Sequence, residues 1–496
     1  MKIALVIPRN SDKNEKSFYD YNFFNKFLLT NKYFSYLLAV PTLVSLTPPG
    51  HEIRVFDENI EKIDYGWKPD IAGITVRTVF AKRAYEISEE FRKMGVKTVL
   101  GGIHPSMCTD ESLEHCDCVV IGEAEGIWQR VLDDAKAGEL KRTYRAEGLS
   151  DMKIAPLPGR QALSSGMYFS DIVQTTKGCP FHCEFCSVHT FNGTKIRSKT
   201  VEQIINEIRS ILESSSLGFK RKSIFFADDN IIANMAFARE LFTELKPYNL
   251  NWSCQASINV SEDDEMLRLM KDSGCGAILI GFESISKDNL TRMSKGINMK
   301  QNYAEAIKKI QSHGILVHSS FILGYDFDTK NSFQELIDFI EKNNLLMPLI
   351  NLLTPFPGTK LFQRLVDEGR IIHTDWSKYN TKNVVFKPSL LSEKDLLEGY
   401  KKVIEGVYSL DSIWRKLNHY WGIDFWKHQN EIDTIKFKYR FLFSLRLISL
   451  LFSGNLKRSA FILKILPKIF NKKVRISTIL TLIAYNDYAY DLNLGS

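Results

Sequence analysis

The chain has 496 residues, 44% hydrophobic and 25% charged, with no low-complexity tract; it is globular in composition and too long for one ordinary core. Its net charge of +7 is concentrated, because residues 436–486 hold eleven Lys or Arg and no Asp or Glu, which leaves the remainder mildly acidic and excludes a general nucleic-acid surface. Most of the eight cysteines are scattered, unlike a secreted disulfide scaffold, and the opening apolar run is too short for a signal peptide, so a cytoplasmic setting is expected.

Residues 2–7, 51–57, 71–76, 98–101 and 118–121 are short apolar runs that read as strands, and 81–94 and 124–137 between them carry a helical pattern. This alternation predicts a doubly wound, mostly parallel sheet over residues 1–148. Ligands of such sheets sit at the carboxyl ends of the strands. Those ends carry Thr75, the pair Gly101-Gly102 followed by His104, and Gly122-Glu123. Paired glycines let a backbone approach a bulky ligand closely. The dinucleotide fingerprint G-x-G-x-x-G is absent, which weakens a nucleotide reading without excluding a flavodoxin-like domain with another ligand or none. Residues 18–36 hold nine aromatics; a loop this apolar is expected to be packed, over a cofactor, along a substrate channel or simply against the domain.

Pro156, Pro158 and Gly159 form a hinge, and residues 149–390 follow as the next predicted domain. A strand at 172–176 runs into Gly178-Cys179-Pro180-Phe181-His182-Cys183-Glu184-Phe185-Cys186, a C-x3-C-x2-C array. Three thiolates on one tight loop can hold three irons of a [4Fe–4S] cluster and leave the fourth iron open. Zinc normally takes four closed ligands, often as two separated pairs, and fits less well. Five further strand–helix pairs follow, at 223–227 with 240–245, 251–256 with 262–272, 277–282 with 300–312, 316–323 with 332–343, and 349–353 with 360–368. Six consecutive β/α units predict a barrel or partial barrel with its site at the carboxyl ends of the strands. Cys254 and Cys275 are expected to be buried thiols.

The cysteine array, with Phe185 before the third cysteine, resembles the signature of the radical S-adenosylmethionine (SAM) enzymes. The resemblance implies a (β/α)6 partial TIM barrel in which Cys179, Cys183 and Cys186 bind the cluster and SAM chelates the open iron. Asp228 falls where the superfamily contacts the amino group of SAM, a place that suits a carboxylate, although helix capping explains Asp or Asn there equally. Glu283, in Gly281-Phe282-Glu283-Ser284, resembles the residue that holds the ribose hydroxyls. Ser320 lies in the segment 318–324, similar to the glycine-containing stretch beside adenine. The first domain resembles the cobalamin-binding, Rossmann-like domain found ahead of many such cores, with Thr75, Gly101 and Gly102 at its cofactor-binding positions. The Asp-x-His-x-x-Gly that supplies a cobalt ligand elsewhere is missing, so no histidine is expected below cobalt. His104 is placed near the ring or is an ordinary hydrogen-bonding residue.

Residues 391–496 are predicted as a helical, basic C-terminal region, in which 437–453 and 460–470 are apolar with interspersed cations. The first run is shorter than the ~20 residues a membrane span needs. It fits a surface-lying amphipathic helix through 436–475, or helices packed on the core with a solvated basic face.

The whole chain resembles class B radical SAM methylases, and most of all relatives of the hopanoid methylases. That resemblance implies a [4Fe–4S] cluster, SAM and cobalamin, an electron donor such as flavodoxin or ferredoxin, and methylation of an unactivated carbon in a small-molecule, hydrophobic or lipid-like substrate. A cobalamin-containing cyclase or rearrangement enzyme shares the same motifs, and a non-catalytic iron–sulfur carrier or sensor is the rival from another class. No catalytic side chain is assigned.

Overall fold

The computed structural model describes residues 1–10, 33, 35–164, 166–213, 223–423, 425, 437–470 and 476–494. The described residues up to Ile211, with Thr354–Phe386, form one compact unit, and those of Leu212–Leu353 and from Lys387 onward form a second. The division therefore runs through the segment predicted as one barrel, because Thr354–Phe386 returns to the first unit.

The first unit opens with β1 (Lys2–Ile7), α1 (Ala39–Leu46), β2 (Glu52–Asp57), β3 (Ile71–Thr75), α2 (Ala81–Lys93), β4 (Lys97–Gly101), α3 (Ile103–Met107), α4 (Thr109–Glu114), β5 (Cys118–Ile121), α5 (Trp128–Ala137) and β6 (Thr143–Arg145). The strands form a parallel sheet in the order β2-β1-β3-β4-β5-β6, as a doubly wound domain requires. After the exposed Lys2, β1 is apolar and buried from Ile3 to Ile7, since both faces of a parallel sheet are covered. Leu5, Val99 and Val120 pack on one face with Val40 and Trp128. Ala72, Ile74 and Leu100 pack on the other with Tyr85, Ile87 and Phe91 of α2. The order reverses between β1 and β3, the place where such sheets open a ligand crevice.

Downstream in the same unit, the strand expected at 172–176 divides into β7 (Asp171–Val173) and β8 (Thr176–Lys177); β8 pairs antiparallel with β9 (Arg197–Ser198). This hairpin frames the cysteine loop and α6 (Val188–Phe191), and α7 (Val201–Glu213) follows. Glu207 on α7 is buried and pairs with both Arg160 and Lys199, the latter at 2.6 Å. Tyr36 is buried, its hydroxyl accepting from Arg160 Nε at 2.6 Å and donating to Asp171 Oδ1 at 3.2 Å. Of the predicted aromatic segment, Tyr36 therefore packs, whereas Phe18 to Phe27 and Phe34 lie outside the described residues.

The second unit contains β10 (Ser223–Phe226), α8 (Met235–Leu245), β11 (Asn251–Gln255), α9 (Asp264–Asp272), β12 (Cys275–Glu283), α10 (Tyr303–Ser312), β13 (Leu316–Leu323), α11 (Lys330–Lys342) and β14 (Leu349–Leu352). Its strands pair parallel in chain order, which is what repeated β/α units produce. Five predicted repeat strands thus lie here, and the first, β7, lies in the other unit.

The chain ends in α12 (Glu393–Tyr408), α13 (Leu410–Gly422), α14 (Phe437–Leu451), α15 (Leu456–Phe470) and α16 (Ile476–Leu494). Ser392 caps α12 by accepting from Asp395 N. Ile413, Leu417, Leu447, Ile465 and Ile483 share one apolar cluster, so the tail helices do pack. No described helix is long and apolar enough to cross a membrane.

Candidate cofactor site

The cysteine loop leaves β8 through Gly178, whose φ is 98°. A Cβ there would lie 2.5 Å from the Lys195 carbonyl oxygen, so the hairpin admits only glycine before Cys179. Cys179 N donates to Gly193 O at 3.2 Å, and Cys186 N donates to Cys183 O at 3.1 Å. Cys183 is buried, while Cys179 and Cys186 are half-buried. Glu184 anchors the loop from behind: its carbonyl accepts from Leu361 N at 2.9 Å and its carboxylate pairs with Arg364 at 2.8 Å. Three soft sulfur donors on a loop pinned at both ends are a donor set for iron–sulfur chemistry.

A cavity of about 260 Å³ opens in the same unit at the carboxyl ends of the first sheet. Its wall is mainly apolar, with Leu5, Leu43, Val99, Val120 and Trp128 in its lining. Thr75, Gly101 and Gly102 line it as well. Gly102 has φ 102°, and a Cβ on it would sit 2.9 Å from Val76 O, whereas one on Gly101 would meet nothing closer than 3.9 Å. Gly102 therefore serves the backbone turn, and Gly101 keeps its space open. His104 is absent from the lining. It is fully buried, with Nε2 2.9 Å from Tyr85 Oη and its ring 5.3 Å from that of Trp376. His104 thus turns on α3 toward Tyr85 of α2, away from the cavity lining.

Polar groups meet at the cavity edge. Arg197 holds both Glu123 carboxylate oxygens, at 2.7 and 2.9 Å, and Ser150 N donates to Glu123 at 2.7 Å. Lys177 approaches Glu123 to 3.6 Å and also pairs with Glu125. Burial pushes the Glu123 carboxyl up, but the Arg197 bonds, the Lys177 charge and the Ser150 bonds outweigh it and hold it at about 2. Lys177 and Glu123 both line the cavity, and Lys177 lies two residues before Cys179.

In the second unit, Asp228 is fully buried at the end of β10. Nearby, Asn230 exchanges two 3.0 Å hydrogen bonds with Ser257. Cys254 and Cys275 are buried thiols, and burial pushes Cys254 well up, with Cys275 and Asp228 adding to the effect. Glu283 ends β12 at φ 62°, just where the pairing with β13 shifts register. A non-glycine residue there carries backbone strain of the kind that collects at functional sites. The surroundings enforce it: Lys295 pairs with the Glu283 carboxylate at 3.1 Å, and Asn298 Nδ2 donates to Gly281 O and Phe282 O at 2.9 and 3.0 Å. A Cβ on Gly281 would fall 2.1 Å from Glu283 Oε1, so the carboxylate folds back over a glycine. Ser320 accepts from Asn351 Nδ2 at 3.3 Å. Two residues before Ser320 on β13, His318 aligns with Leu279 and Gln255 in a half-buried row across β13, β12 and β11.

Residues 173–340 match the Radical SAM superfamily, and residues 359–490 match a domain of unknown function (DUF4070). The bacteriochlorophyllide d C-12(1)-methyltransferase of Chlorobaculum tepidum is 36% identical over 366 residues, covering 72% of this chain and 79% of that protein. The chain belongs to the radical SAM superfamily. It stands among methyltransferases: the hopanoid C-2 methylase of Rhodopseudomonas palustris is 28% identical over 389 residues, 76% of this chain and 72% of that protein. The hopanoid resemblance holds, and the bacteriochlorophyllide enzyme is more similar still. The solved structure of the cobalamin-dependent S-adenosylmethionine radical enzyme OxsB, with aqua-cobalamin and S-adenosylmethionine bound, has 15% identity and a TM-score of 0.63 over 100% of this chain and 81% of that chain. That likeness concerns the fold.

For this radical SAM protein, sequence reasoning singled out Cys179, Cys183, Cys186, Thr75, Gly101 and Gly102, and all six lie in the first unit. Asp228, Glu283 and Ser320 lie in the second. It passed over Lys177, Arg197 and Lys295, each of which fixes a carboxylate. No local signal marks them: Arg197 and Glu123 are 74 residues apart and meet only through the fold.

Proposed function

We propose that this radical SAM enzyme methylates an unactivated carbon of a hydrophobic small molecule, using cobalamin as the methyl carrier. The observation that carries the reading is the apolar, glycine-lipped cavity at the sheet's carboxyl ends, in a chain whose 36% identical relative is a methyltransferase. Cys179, Cys183 and Cys186 hold the [4Fe–4S] cluster; Thr75, Gly101 and Gly102 border the corrinoid; Asp228, Glu283 and Ser320 bind SAM. When bound, the cluster and SAM supply the hydrogen-abstracting radical, and a corrinoid supplies the methyl group. The protein's own part is to position these groups and keep water from the radical. The Glu123–Arg197 pair holds the cavity edge in shape, and Lys295 aims the Glu283 carboxylate. A low-potential one-electron donor such as flavodoxin or ferredoxin feeds the cluster.

The substrate class is supported by the basic, apolar tail and by two relatives named for a bacteriochlorophyllide and a hopanoid. The test is anaerobic reconstitution with cobalamin and a low-potential reductant, recording iron, sulfide, corrinoid and 5′-deoxyadenosine, then methyl-deuterated SAM with candidate apolar substrates. Label in the product is expected. Absence of 5′-deoxyadenosine points instead to an iron–sulfur carrier or sensor. Its formation with a converted but unlabelled product points to a cyclase or rearrangement enzyme.

A further inference from the structure

Helix α14 is apolar on two opposite faces. Phe443, Leu447 and Leu450, spaced four and three residues apart, are buried in the tail's apolar cluster. On the other side, Phe441, Leu445, Ile448 and Phe452 follow the same helical spacing and are 56%, 44%, 47% and 82% exposed. The stripe continues around the turn Ser453-Gly454-Asn455 into α15, where Leu456 and Leu463 are 85% and 60% exposed. Isolated exposed apolar side chains need no explanation, but a contiguous stripe marks an interaction surface. A helix apolar on two opposite faces is normally covered on both.

The charge around the stripe chooses the partner. On the described hairpin lie Arg446, Lys457, Arg458, Lys464 and Lys468 and no carboxylate, with Arg458 paired to Asp487 of α16. Lys457 and Lys464 on α15 are exposed beside Leu456 and Leu463. The Lys464 and Lys468 ammonium groups lie 5.8 and 5.1 Å from the Trp414 and Trp421 rings, placing amphipathic aromatics among the cations. A second copy of the chain docking face to face would set these cations against one another. An anionic bilayer surface satisfies both features, with apolar side chains sinking into the acyl boundary and Lys and Arg meeting phosphate headgroups. No described helix is able to span the bilayer, so the contact is peripheral.

We infer that the α14–α15 hairpin docks this protein on an anionic membrane, with Phe452 and Leu456 as the inserting tip. The docking supplies access to an apolar substrate and so deepens the proposed function, yet it needs neither cofactor nor turnover. Its failure is therefore distinguishable from failure of the chemistry.

The experiment is flotation of the full-length, reconstituted protein with vesicles of phosphatidylcholine alone or mixed with phosphatidylglycerol, at low and high salt. Binding is expected to the phosphatidylglycerol vesicles, weakened by salt. The F452S/L456S double variant is expected to lose about tenfold or more of that binding. Both side chains are more than 80% exposed, so the variant should keep the wild-type melting temperature and SAM cleavage. A K457E/K464E variant is expected to lose the salt-dependent part. Absence of flotation, equal flotation of F452S/L456S, or a dimer in light scattering that F452S/L456S abolishes would each overturn the inference.

Discussion

Arg197 grips both oxygens of the Glu123 carboxylate, at 2.7 and 2.9 Å, joining the β8–β9 hairpin that carries the cysteine loop to the end of the first sheet. The two side chains are 11% and 3% exposed, so neither can turn to water if its partner is removed. Breaking a buried pair costs more than the pair itself contributes, because the survivor stays charged and desolvated.

Glu123→Gln is therefore expected to lower unfolding stability by about 3 kcal/mol, read from denaturant titration at neutral pH. The pH dependence has a definite sign. The folded carboxyl is held at about 2, against an ordinary value of 4.5, so the folded state binds its proton less readily than the unfolded chain. Its stabilisation is complete above pH 4.5 and is lost as pH falls toward 2. The difference between wild type and Glu123→Gln should shrink over that window.

The two glycines at the end of β4 should separate cofactor binding from folding. Gly102→Ala strains a φ of 102° and crowds Val76 O at 2.9 Å, and is expected to cost about 1–3 kcal/mol of stability. Gly101→Val enters open space on the cavity wall. It should leave the melting temperature nearly unchanged while lowering corrinoid content after reconstitution.

Replacing any one of Cys179, Cys183 and Cys186 by Ala is expected to abolish a stable cluster, measured as iron and sulfide per chain and as loss of the charge-transfer absorption. Cys254→Ala is the control. Cys254 is a buried thiol that burial pushes well up, and its loss should cost about 1 kcal/mol of packing with iron content unchanged.

Lys295→Met removes the cation 3.1 Å from the Glu283 carboxylate. The expected result in the reconstituted protein is SAM binding weakened by about tenfold, equivalent to about 1.4 kcal/mol, with cluster content retained. Glu283→Gln should weaken SAM binding similarly. Calorimetric titration with SAM reads both, and unchanged affinity in Glu283→Gln would remove Glu283 from the SAM site.

Local patterning carried much of the architecture. The strands at 2–7, 118–121 and 316–323 appear at their predicted limits, because apolar periodicity and turn residues act over a few neighbours. The cysteine triad was legible for the same reason: its chemistry resides in the spacing of one loop. What a distant partner contributes was not legible. The pairing of Glu123 with Arg197, the hold of Lys295 on Glu283, and the turning of His104 toward Tyr85 arise from contacts across 74, 12 and 19 residues. The tail shows the division most plainly. Its sequence makes α14 apolar on two opposite faces with cations between them, but only tertiary packing decides that Phe443, Leu447 and Leu450 turn inward while Phe441, Leu445 and Ile448 stay exposed. Helical periodicity determines which residues share a face, and the shape of the neighbouring elements determines which face is covered.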